Sequence, residues 1–268
     1  MNHRILILFA ILSLCSCSCS DDCSINTTEY PSMLDQAVSS VYNQMNIFNG
    51  INSLAANSIA ATNLSQESIY PILESMLKTN SMIDEAAFID MNGIMKYIKP
   101  DKYKEIEGSD ISEQAHVIKL HETEQPVMSD LFLAVEGFYG LDFAYPIIQN
   151  NSMVGSLSQL FIPHYVFGLI LEPIFDGTNN EIFIAQKDGV VIYDQDSEEI
   201  GKNITSDPAY MAYPGLIEAG QKIVQTKEGN VKYSYLKAET NEKIFKKAYW
   251  KTVEFFGAEW RVVVAVPN

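Results

Sequence analysis

The sequence predicts an α+β fold, in which a long N-terminal helix is followed by two related antiparallel sheets in tandem. One observation is a repeated unit, found at residues 87–97 and again at 182–193. Each copy has an apolar run, an Asn-Gly or Asp-Gly pair and a tyrosine four residues after the glycine. Because this dipeptide accepts positive φ at both central positions of a type I′ turn, it strongly indicates a β-hairpin. Two late apolar strands follow each hairpin, within residues 143–161 and 250–266.

Residues 1–16 have the features of a lipoprotein signal peptide. Arg4 gives a basic start, and residues 5–14 form an apolar segment that is too short to span a bilayer but suits a secretory signal. Leu14, Ser16 and Cys17 then resemble the −3, −1 and +1 positions of a bacterial or archaeal lipobox, so Cys17 is the predicted lipidation site. An ordinary cleaved signal with incidental cysteines is the alternative. We therefore expect a lipid-anchored protein at the cell surface, outside the cytoplasm.

The charge and the cysteine distribution restrict the partners and the chemistry. The chain has 268 residues, a net charge of −16 and 47% hydrophobic residues, so an ordered globular protein is expected. Its acidity argues against nucleic acid as a partner, because phosphate backbones are repelled. All four cysteines fall between Cys15 and Cys23. The folded part therefore has no disulfide, thiolate metal site or cysteine nucleophile.

A polar tether at residues 17–31 precedes the N-terminal helices, which are predicted at residues 32–80. The apolar residues of the first helix recur at spacings of four and three, at Leu34, Val38, Val41, Met45 and Phe48. This stripe fits either packing in the protein core or a parallel homodimer through the N-terminal helix. Ser65 is predicted to cap a second helix that extends to about Lys78.

The rest of the chain divides into two modules, at residues 81–175 and 176–268. In the first module the hairpin is followed by a helical stretch near residues 103–120 and by strands at 131–135, 141–149 and 153–161. The second module repeats this order, with a helix at about 213–226 and three strands after it. Pro173, Gly177 and two asparagines indicate a joint at residues 172–180.

The motifs of the second module resemble those of the double Cache family, extracellular sensor domains with two PAS-like sheets. They read Asp188-Gly189-x-x-x-Tyr193-Asp194, Gly201-Lys202-Asn203 and Gly257-x-Glu259-Trp260-Arg261. The resemblance covers residues 32–266 and implies a membrane-distal module at 81–175, which more often takes the ligand. The membrane-proximal module at 176–268 more often transmits the signal. Family receptors continue into a transmembrane helix and a signalling domain, whereas this sequence stops at a strand. A membrane signalling partner is therefore expected.

The ligand class stays open in the sequence. Amino-acid sensors of this family have an Arg-x-Trp-Tyr signature after the first hairpin, where this chain reads Lys102-Tyr103-Lys104-Glu105. The amino-acid specificity of that subgroup is therefore not carried over. An amine, an amino acid and an organic acid remain as candidate small organic ligands.

Residues 129–145 form the candidate ligand site, since they combine aromatic and acidic side chains with few basic ones. Such walls favour an amine through cation–π and ionic contacts. With the tyrosine of the first hairpin, the predicted ligand-binding residues are Tyr97, Ser129, Phe132, Glu136, Tyr139, Asp142 and Tyr145. At least about half of the aromatic residues are expected in the sheet core instead. Further candidates in the second module are Tyr193, Tyr210, Tyr213 and Arg261.

No pattern in the sequence indicates an enzyme, a cofactor or a metal site. His116 and His121 are five residues apart, which turns them away from each other on a helix, so a solvated helix end is expected. The acidic run at residues 194–198 starts like a calcium loop, but Glu199 stands where the loop needs glycine. The nucleophile-elbow, Walker, dinucleotide and kinase motifs are absent.

These observations predict a small-molecule sensor or binding lipoprotein that holds its ligand between helix and sheet of the first module. One alternative is a solute-binding component of a transporter, and another is a structural envelope protein without a ligand. The predicted hairpins argue against the transporter component, because such proteins usually have two lobes of parallel strands.

Overall fold

A computed structural model describes residues 29–236 and 242–268 of the chain. The predicted signal peptide and the predicted lipidation site at Cys17 lie outside the described residues. No helix within the described part has the length and apolar character needed to cross a membrane.

The first described element is one long helix, α1, at Glu29–Ala60. It begins three residues before the apolar periodicity predicts and continues through Gly50 without interruption. Glycine costs a helix roughly 1 kcal/mol relative to alanine. Tertiary packing offsets this cost, since Val41, Met45 and Phe48 are fully buried. The apolar stripe therefore packs inside the chain and is not free to form a parallel dimer.

The second helix, α2, occupies Gln66–Thr79, close to its predicted span. Ser65 is the N-cap residue, but its side chain makes no capping hydrogen bond. Its carbonyl oxygen instead accepts hydrogen bonds from the amides of Ser68 and Ile69. The buried side chains Ile69, Leu73 and Met76 hold this helix against the protein.

The first sheet is formed within residues 85–161. Its strands are β1 Glu85–Ile89, β2 Met95–Lys99, β3 Val127–Met128, β4 Phe132–Leu133, β5 Tyr139–Gln149 and β6 Ser152–Phe161. Their order is β2-β1-β6-β5-β3, with β4 beside β5, and every pairing is antiparallel. A 3-10 helix, Asp101–Ile106, and α3, Ala115–Thr123, connect β2 to β3. The strand predicted at 131–135 is reduced to β4, because the chain turns back where the Ala134 amide bonds to the Phe138 carbonyl.

Helix α4, Pro163–Phe175, connects the first sheet to the second, which repeats this architecture. The strands of the second sheet are β7 Glu181–Gln186, β8 Val191–Asp194, β9 Glu228–Leu236, β10 Lys243–Phe255 and β11 Ala258–Pro267, and α5, Pro214–Gln225, lies between β8 and β9. The strand order is β8-β7-β11-β10-β9, again with antiparallel pairing throughout. Both sheets are therefore built on a hairpin whose first strand lies beside the last strand of its module.

No pattern in the sequence predicts α4. Its residues are apolar around most of the helix, so they lack the 3.6-residue periodicity that identifies an amphipathic helix. Pro163 stands in the first turn, where its missing N–H costs no hydrogen bond. The helix is stabilised by burial of Val166, Phe167 and Leu171.

Helix α1 joins one face of both sheets into a common core. Leu157 and Phe161 of β6 lie in the same buried cluster as Val262 and Val264 of β11 and the apolar stripe of α1. The opposite, outer face of the first sheet is covered by α3 and the loop 129–138, and that of the second sheet by α5. The outer faces hold the polar cavities.

Candidate functional site

The outer face of the first sheet brings two acidic residues into one row. Leu160 of β6 is the cross-strand partner of both Glu85 in β1 and Asp142 in β5. Because directly opposed residues project from the same face of a sheet, both carboxyl groups lie on the outer face. Ser158 projects from the same face, two residues from Leu160 along β6.

Asp142 is the centre of a buried hydrogen-bond network. Its Oδ1 accepts a hydrogen bond of 2.7 Å from Ser158 Oγ, and its Oδ2 lies 3.1 Å from Nε2 of His116 on α3. Two hydrogen bonds donated by main-chain amides connect Asp142 to Ser129. The Asp142 amide donates to Ser129 Oγ at 2.8 Å, and the Ser129 amide donates to the Asp142 carbonyl at 2.8 Å. Asp142 is thereby fixed in place before any ligand arrives.

Glu85 is the second acidic residue of the site, and it is only partly satisfied. Its Oε1 is buried and has no hydrogen-bond partner in the described part of the chain. Burial raises the pKa of Glu85 well above its ordinary value, and the nearby carboxyl groups of Glu136 and Asp142 raise it further. Burial also raises the pKa of Glu136. These carboxyl groups therefore favour an arriving positive charge.

Two neighbouring cavities lie on this face. The inner cavity is about 20 Å³ in volume and is lined by Glu85, Glu136, Asp142 and Ser158, among others. The outer cleft is about 350 Å³ and lies between α3 and residues 127–132. Gln114, His116 and Phe132 line both spaces. The rings of His116 and Phe132 are in contact, with centroids 5.2 Å apart, so they stand between the cleft and the buried carboxyl groups.

Four of the seven predicted residues meet at this site. Glu136 and Asp142 line the inner cavity, Phe132 lines both spaces, and Ser129 lines the outer cleft and bonds to Asp142. Tyr139 is 54% exposed and lines neither of them.

Tyr97 and Tyr145 lie on the opposite face of the sheet, toward the helices. Tyr97 packs against Tyr70 of α2 and Phe88 of β1, with ring centroids 5.7 and 5.9 Å away. Tyr145 is opposite Leu157, which belongs to the core around α1. The structure does not bring either tyrosine to the outer-face site.

Three residues of the site were not predicted, namely Glu85, His116 and Ser158. His116 is buried, so the expected solvated helix end is wrong at this position. A sequence signal does exist for Glu85, which is a charged residue at the start of the otherwise apolar strand Glu-Ala-Ala-Phe-Ile. Such a residue is unusual in a strand that is buried along its whole length.

The acidic run at 194–198 forms a turn. Asp194 Oδ1 accepts the amide of Asp196, and Asp196 Oδ1 accepts the amide of Glu198. In residues 29–236 and 242–268, no group of three or more His, Cys, Asp or Glu side chains is arranged to hold a metal ion.

The comparison with protein families matches residues 42–163 to the model described as HK/GC/Chemotaxis protein-like, sensor domain. No curated protein matches the chain. Among solved structures, an extracellular ligand binding receptor from Desulfohalobium retbaense DSM5692 is similar, with 29% identity and a TM-score of 0.75 over 88% of this chain. This chain spans only 40% of that protein's length.

Chemoreceptor domains of Pseudomonas are similar over nearly their whole length. The ligand-binding domain of Pseudomonas aeruginosa PAO1 PctB in complex with L-Gln has 16% identity and a TM-score of 0.64, covering 88% of this chain and 89% of its own. That of Pseudomonas fluorescens CtaA in complex with L-alanine has 13% identity and a TM-score of 0.66, covering 90% and 96%. The predicted fold class, a long helix followed by two antiparallel sheets of double Cache type, is confirmed. The chain is similar to extracellular ligand-binding sensor domains.

Proposed function

We propose that this protein is an extracytoplasmic small-molecule sensor or binding protein, whose first module takes a ligand with an ammonium group. The observation that carries the proposal is the buried Oε1 of Glu85, which has no partner among the described residues. Glu136 and Asp142 lie beside it, and no Lys or Arg lines the inner cavity. An ammonium group donates three hydrogen bonds and accepts none, so it supplies the donor that Oε1 of Glu85 lacks.

The volumes of the inner cavity and the outer cleft fit a ligand whose ammonium group enters the inner cavity and whose body lies in the outer cleft. A volume of about 20 Å³ holds about one water-sized group, which is the size of an ammonium head. The outer cleft of about 350 Å³ accommodates the body of a small molecule. Binding across both spaces requires the side chains of His116 and Phe132 to rotate apart.

Amines and amino acids both satisfy this arrangement. Lys119 lines the outer cleft and is the basic residue that the carboxylate of an amino acid would meet there. The amino-acid complexes of PctB and CtaA support this ligand class. An organic acid without an amine would place its charge against the carboxyl groups of the inner cavity, which disfavours it.

The test is a thermal-shift screen of the purified full-length protein in detergent against amino acids, amines and organic acids. A ligand at a hundredfold excess over its Kd stabilises the folded state by about 2.7 kcal/mol. For a chain of this size that corresponds to a Tm increase of roughly 5–10 °C. We expect hits among amines or amino acids, and replacement of Lys119 by Met should weaken only those with a carboxylate.

Glu85→Gln keeps the shape of the side chain and removes the carboxyl group that would ionise beside an ammonium group, so it should abolish these shifts. Glu74→Gln is the matched control, because Glu74 is a surface carboxylate on α2 paired with Lys78 at 2.8 Å. Shifts that come only from organic acids, or that survive in Glu85→Gln, would contradict an ammonium site at this position.

The lipid anchor and the signalling role belong to the same proposal. Cys17 carries the lipid that holds the protein at the outer face of the membrane. Residues 81–175 form the membrane-distal module and residues 176–268 the membrane-proximal one. The occupied state is passed to a membrane partner. Metabolic labelling with a palmitate analogue tests the anchor: the label should appear in the wild type and be lost in Cys17→Ser.

Two other roles are weaker on structural grounds. All strand pairings in the described sheets are antiparallel, which differs from the two parallel-stranded lobes usual for transporter-feeding proteins. A dimer through α1 would have to use its exposed side, where Ile47 and Leu54 lie, because the apolar stripe is buried. The partly unsatisfied Glu85 favours ligand binding over a purely structural role.

A further inference from the structure

The outer face of the second sheet contains a cavity of about 400 Å³, between the sheet, α5 and the turns around residues 196–210. It is separate from the first-sheet site, with which it shares no lining residue. We refer to it as the second cavity. Its apolar lining includes Val191, Ile204, Leu216, Ala219, Ile223 and Ala248.

The acidic groups of the second cavity are unequally partnered. Glu181 forms an ion pair with Lys246, and Glu199 accepts the Tyr210 hydroxyl and pairs with Lys202 at 2.8 Å. Asp194, by contrast, has no basic partner in the described ranges, and its Oδ1 accepts a hydrogen bond from the amide of Asp196 at 2.8 Å. Asp196 also lines the cavity without an ion pair, but it is exposed, whereas Asp194 is half-buried. Asp194 is therefore the half-buried carboxyl group that a ligand cation can still neutralise.

The electrostatic surroundings of Asp194 are mainly negative. The pKa of Asp194 is raised from the ordinary 3.8 to about 7, mainly by burial and in addition by the charges of Glu199, Glu181 and Asp196. The titratable groups that line the same cavity from the surrounding elements are Glu181, Asp196, Glu199, Tyr210, Tyr233, Tyr235 and Lys246. A cation placed beside Asp194 would favour its ionised form and would displace its proton near neutral pH.

Aromatic faces complete the wall of the second cavity. Tyr233 and Tyr235 are stacked, with centroids 6.5 Å apart and an interplanar angle of 19°. The Lys246 ammonium already lies 5.7 Å from the centroid of Tyr235. Tyrosine faces attract ammonium groups through the ring quadrupole, so the wall suits a second cation as well.

We propose that the second cavity is a separate binding site for an organic cation, an amine with an apolar body. The ammonium group lies between the carboxylate of Asp194 and the tyrosine faces, and the apolar body rests on the aliphatic lining. This site is distinct from the ammonium site proposed for the first module, and it gives the second module a ligand of its own.

The test uses calorimetric titration of the full-length protein in detergent with three probes of similar shape and different charge. They are phenethylammonium, neutral 2-phenylethanol and anionic phenylacetate. Titrations in Glu85→Gln report on the second cavity, because the proposed function expects amine binding at the first site to be lost in that variant. We expect phenethylammonium to bind at least about tenfold more tightly than either of the other two probes, since the removal of an ionic partner costs that much or more.

Asp194→Asn keeps the acceptor for the Asp196 amide, so the turn should fold unchanged. Added to Glu85→Gln, it should weaken phenethylammonium about tenfold or more. Tyr233→Leu in the same background should weaken it about fivefold, the value of a cation–π contact of about 1 kcal/mol. In Glu85→Gln with Asp194 present, affinity should fall from pH 8 to pH 6 and binding should release a proton at pH 7.

Three results would overturn the second site. They are equal binding of 2-phenylethanol, stronger binding of phenylacetate, and an affinity for phenethylammonium that is unchanged in Asp194→Asn. None of these outcomes concerns the first site. Amine binding at the first site is measured separately, in the Asp194→Asn variant that keeps Glu85. Loss of that binding alone would contradict the proposed function and leave the second site standing.

Discussion

The main-chain amide of Leu131 donates a hydrogen bond to Oε1 of Gln186, and this bond links the two modules. Leu131 lines the outer cleft of the first sheet, whereas Gln186 is the last residue of β7 in the second. A second link runs from the Met128 amide to the carbonyl of Phe256, at 3.1 Å. The loop that covers the first site is thus attached to the second module through Leu131, and the strand β3 that precedes it through Met128.

Replacement of Gln186 by Leu should loosen this loop. It removes the acceptor of the Leu131 amide, which costs about 1–2 kcal/mol when a partly buried donor loses its partner. Amide hydrogen exchange at Leu131 should accelerate, and amine affinity at the first site should fall several-fold. Gln36→Leu, at an exposed position of α1, should change neither quantity. Protection of the Leu131 amide that is unchanged in Gln186→Leu would show that the bond does not hold the loop.

Asp194 should make the folded protein less stable as the pH rises. Its pKa is about 7 in the folded protein, against an ordinary value of 3.8. The folded state therefore holds the proton more tightly, and the free energy of unfolding falls as the pH rises between about 4 and 7. A shift of this size corresponds to at most about 4 kcal/mol, and solvent contact reduces it.

Asp194→Asn should remove this part of the pH dependence, so that its Tm exceeds that of the wild type at pH 8 and approaches it at pH 4.5. Glu85 acts in the same direction, and some slope will therefore remain in the variant. Asp176→Asn, at an exposed helix end, is the control. Parallel Tm curves for Asp194→Asn and the wild type would be inconsistent with a raised pKa.

Truncation of a side chain on the core side of α1 should lower the free energy of unfolding far more than truncation of one on its solvent side. Met45 is fully buried in the common core, and Met45→Ala should lower the free energy of unfolding by about 2–5 kcal/mol. Leu54 on the same helix is 72% exposed, and Leu54→Ala should change it by less than about 0.5 kcal/mol. Denaturant titration measures both values. Similar costs for the two variants would indicate that α1 is packed in another orientation.

Two helical glycines should respond to alanine in opposite directions. A Cβ at Gly50 meets nothing within 4 Å, so Gly50→Ala should stabilise α1 by about 0.5–1 kcal/mol. A Cβ at Gly220 in α5 would lie 2.1 Å from the carbonyl oxygen of Ile204. Gly220→Ala should therefore destabilise the protein by about 1–3 kcal/mol, and it should disturb the second cavity but not the first site. Thermal melts of both variants decide the signs.

The elements with local signals could be predicted from the sequence. The two Gly-centred hairpins and the stripe of α1 depend on turn chemistry and periodicity within a few residues, and both are found. The type I′ turn was wrong: only the glycine of each dipeptide, Gly93 and Gly189, has positive φ, and each hairpin has a register shift near its turn. Helix α4 has neither signal, because apolar residues such as Tyr165 and Leu169 also occupy its exposed side. Its conformation depends on packing against α1, β7 and β8, which no local pattern describes.

The candidate site was predictable only where spacing along a strand defines a face. Asp142 and Tyr145 are three positions apart in β5, and strand alternation places them on opposite faces of the sheet. Their separation could therefore have been inferred once β5 was known to be continuous. Glu85 and His116 reach Asp142 from β1 and α3. That meeting depends on strand register and helix packing, which the sequence alone does not provide.

The shared core beneath the two sheets sets a limit on how such a chain can be rebuilt. Side chains from β6 and β11 pack on the same stripe of α1, so the helix-facing sides of the two sheets share one hydrophobic core. A module taken from a relative would have to pack against side chains of α1 and of the other sheet that it did not evolve with. Recombination within this architecture should therefore succeed when each graft includes the matching surface of α1, and calorimetry of the intact chain should show a single unfolding peak.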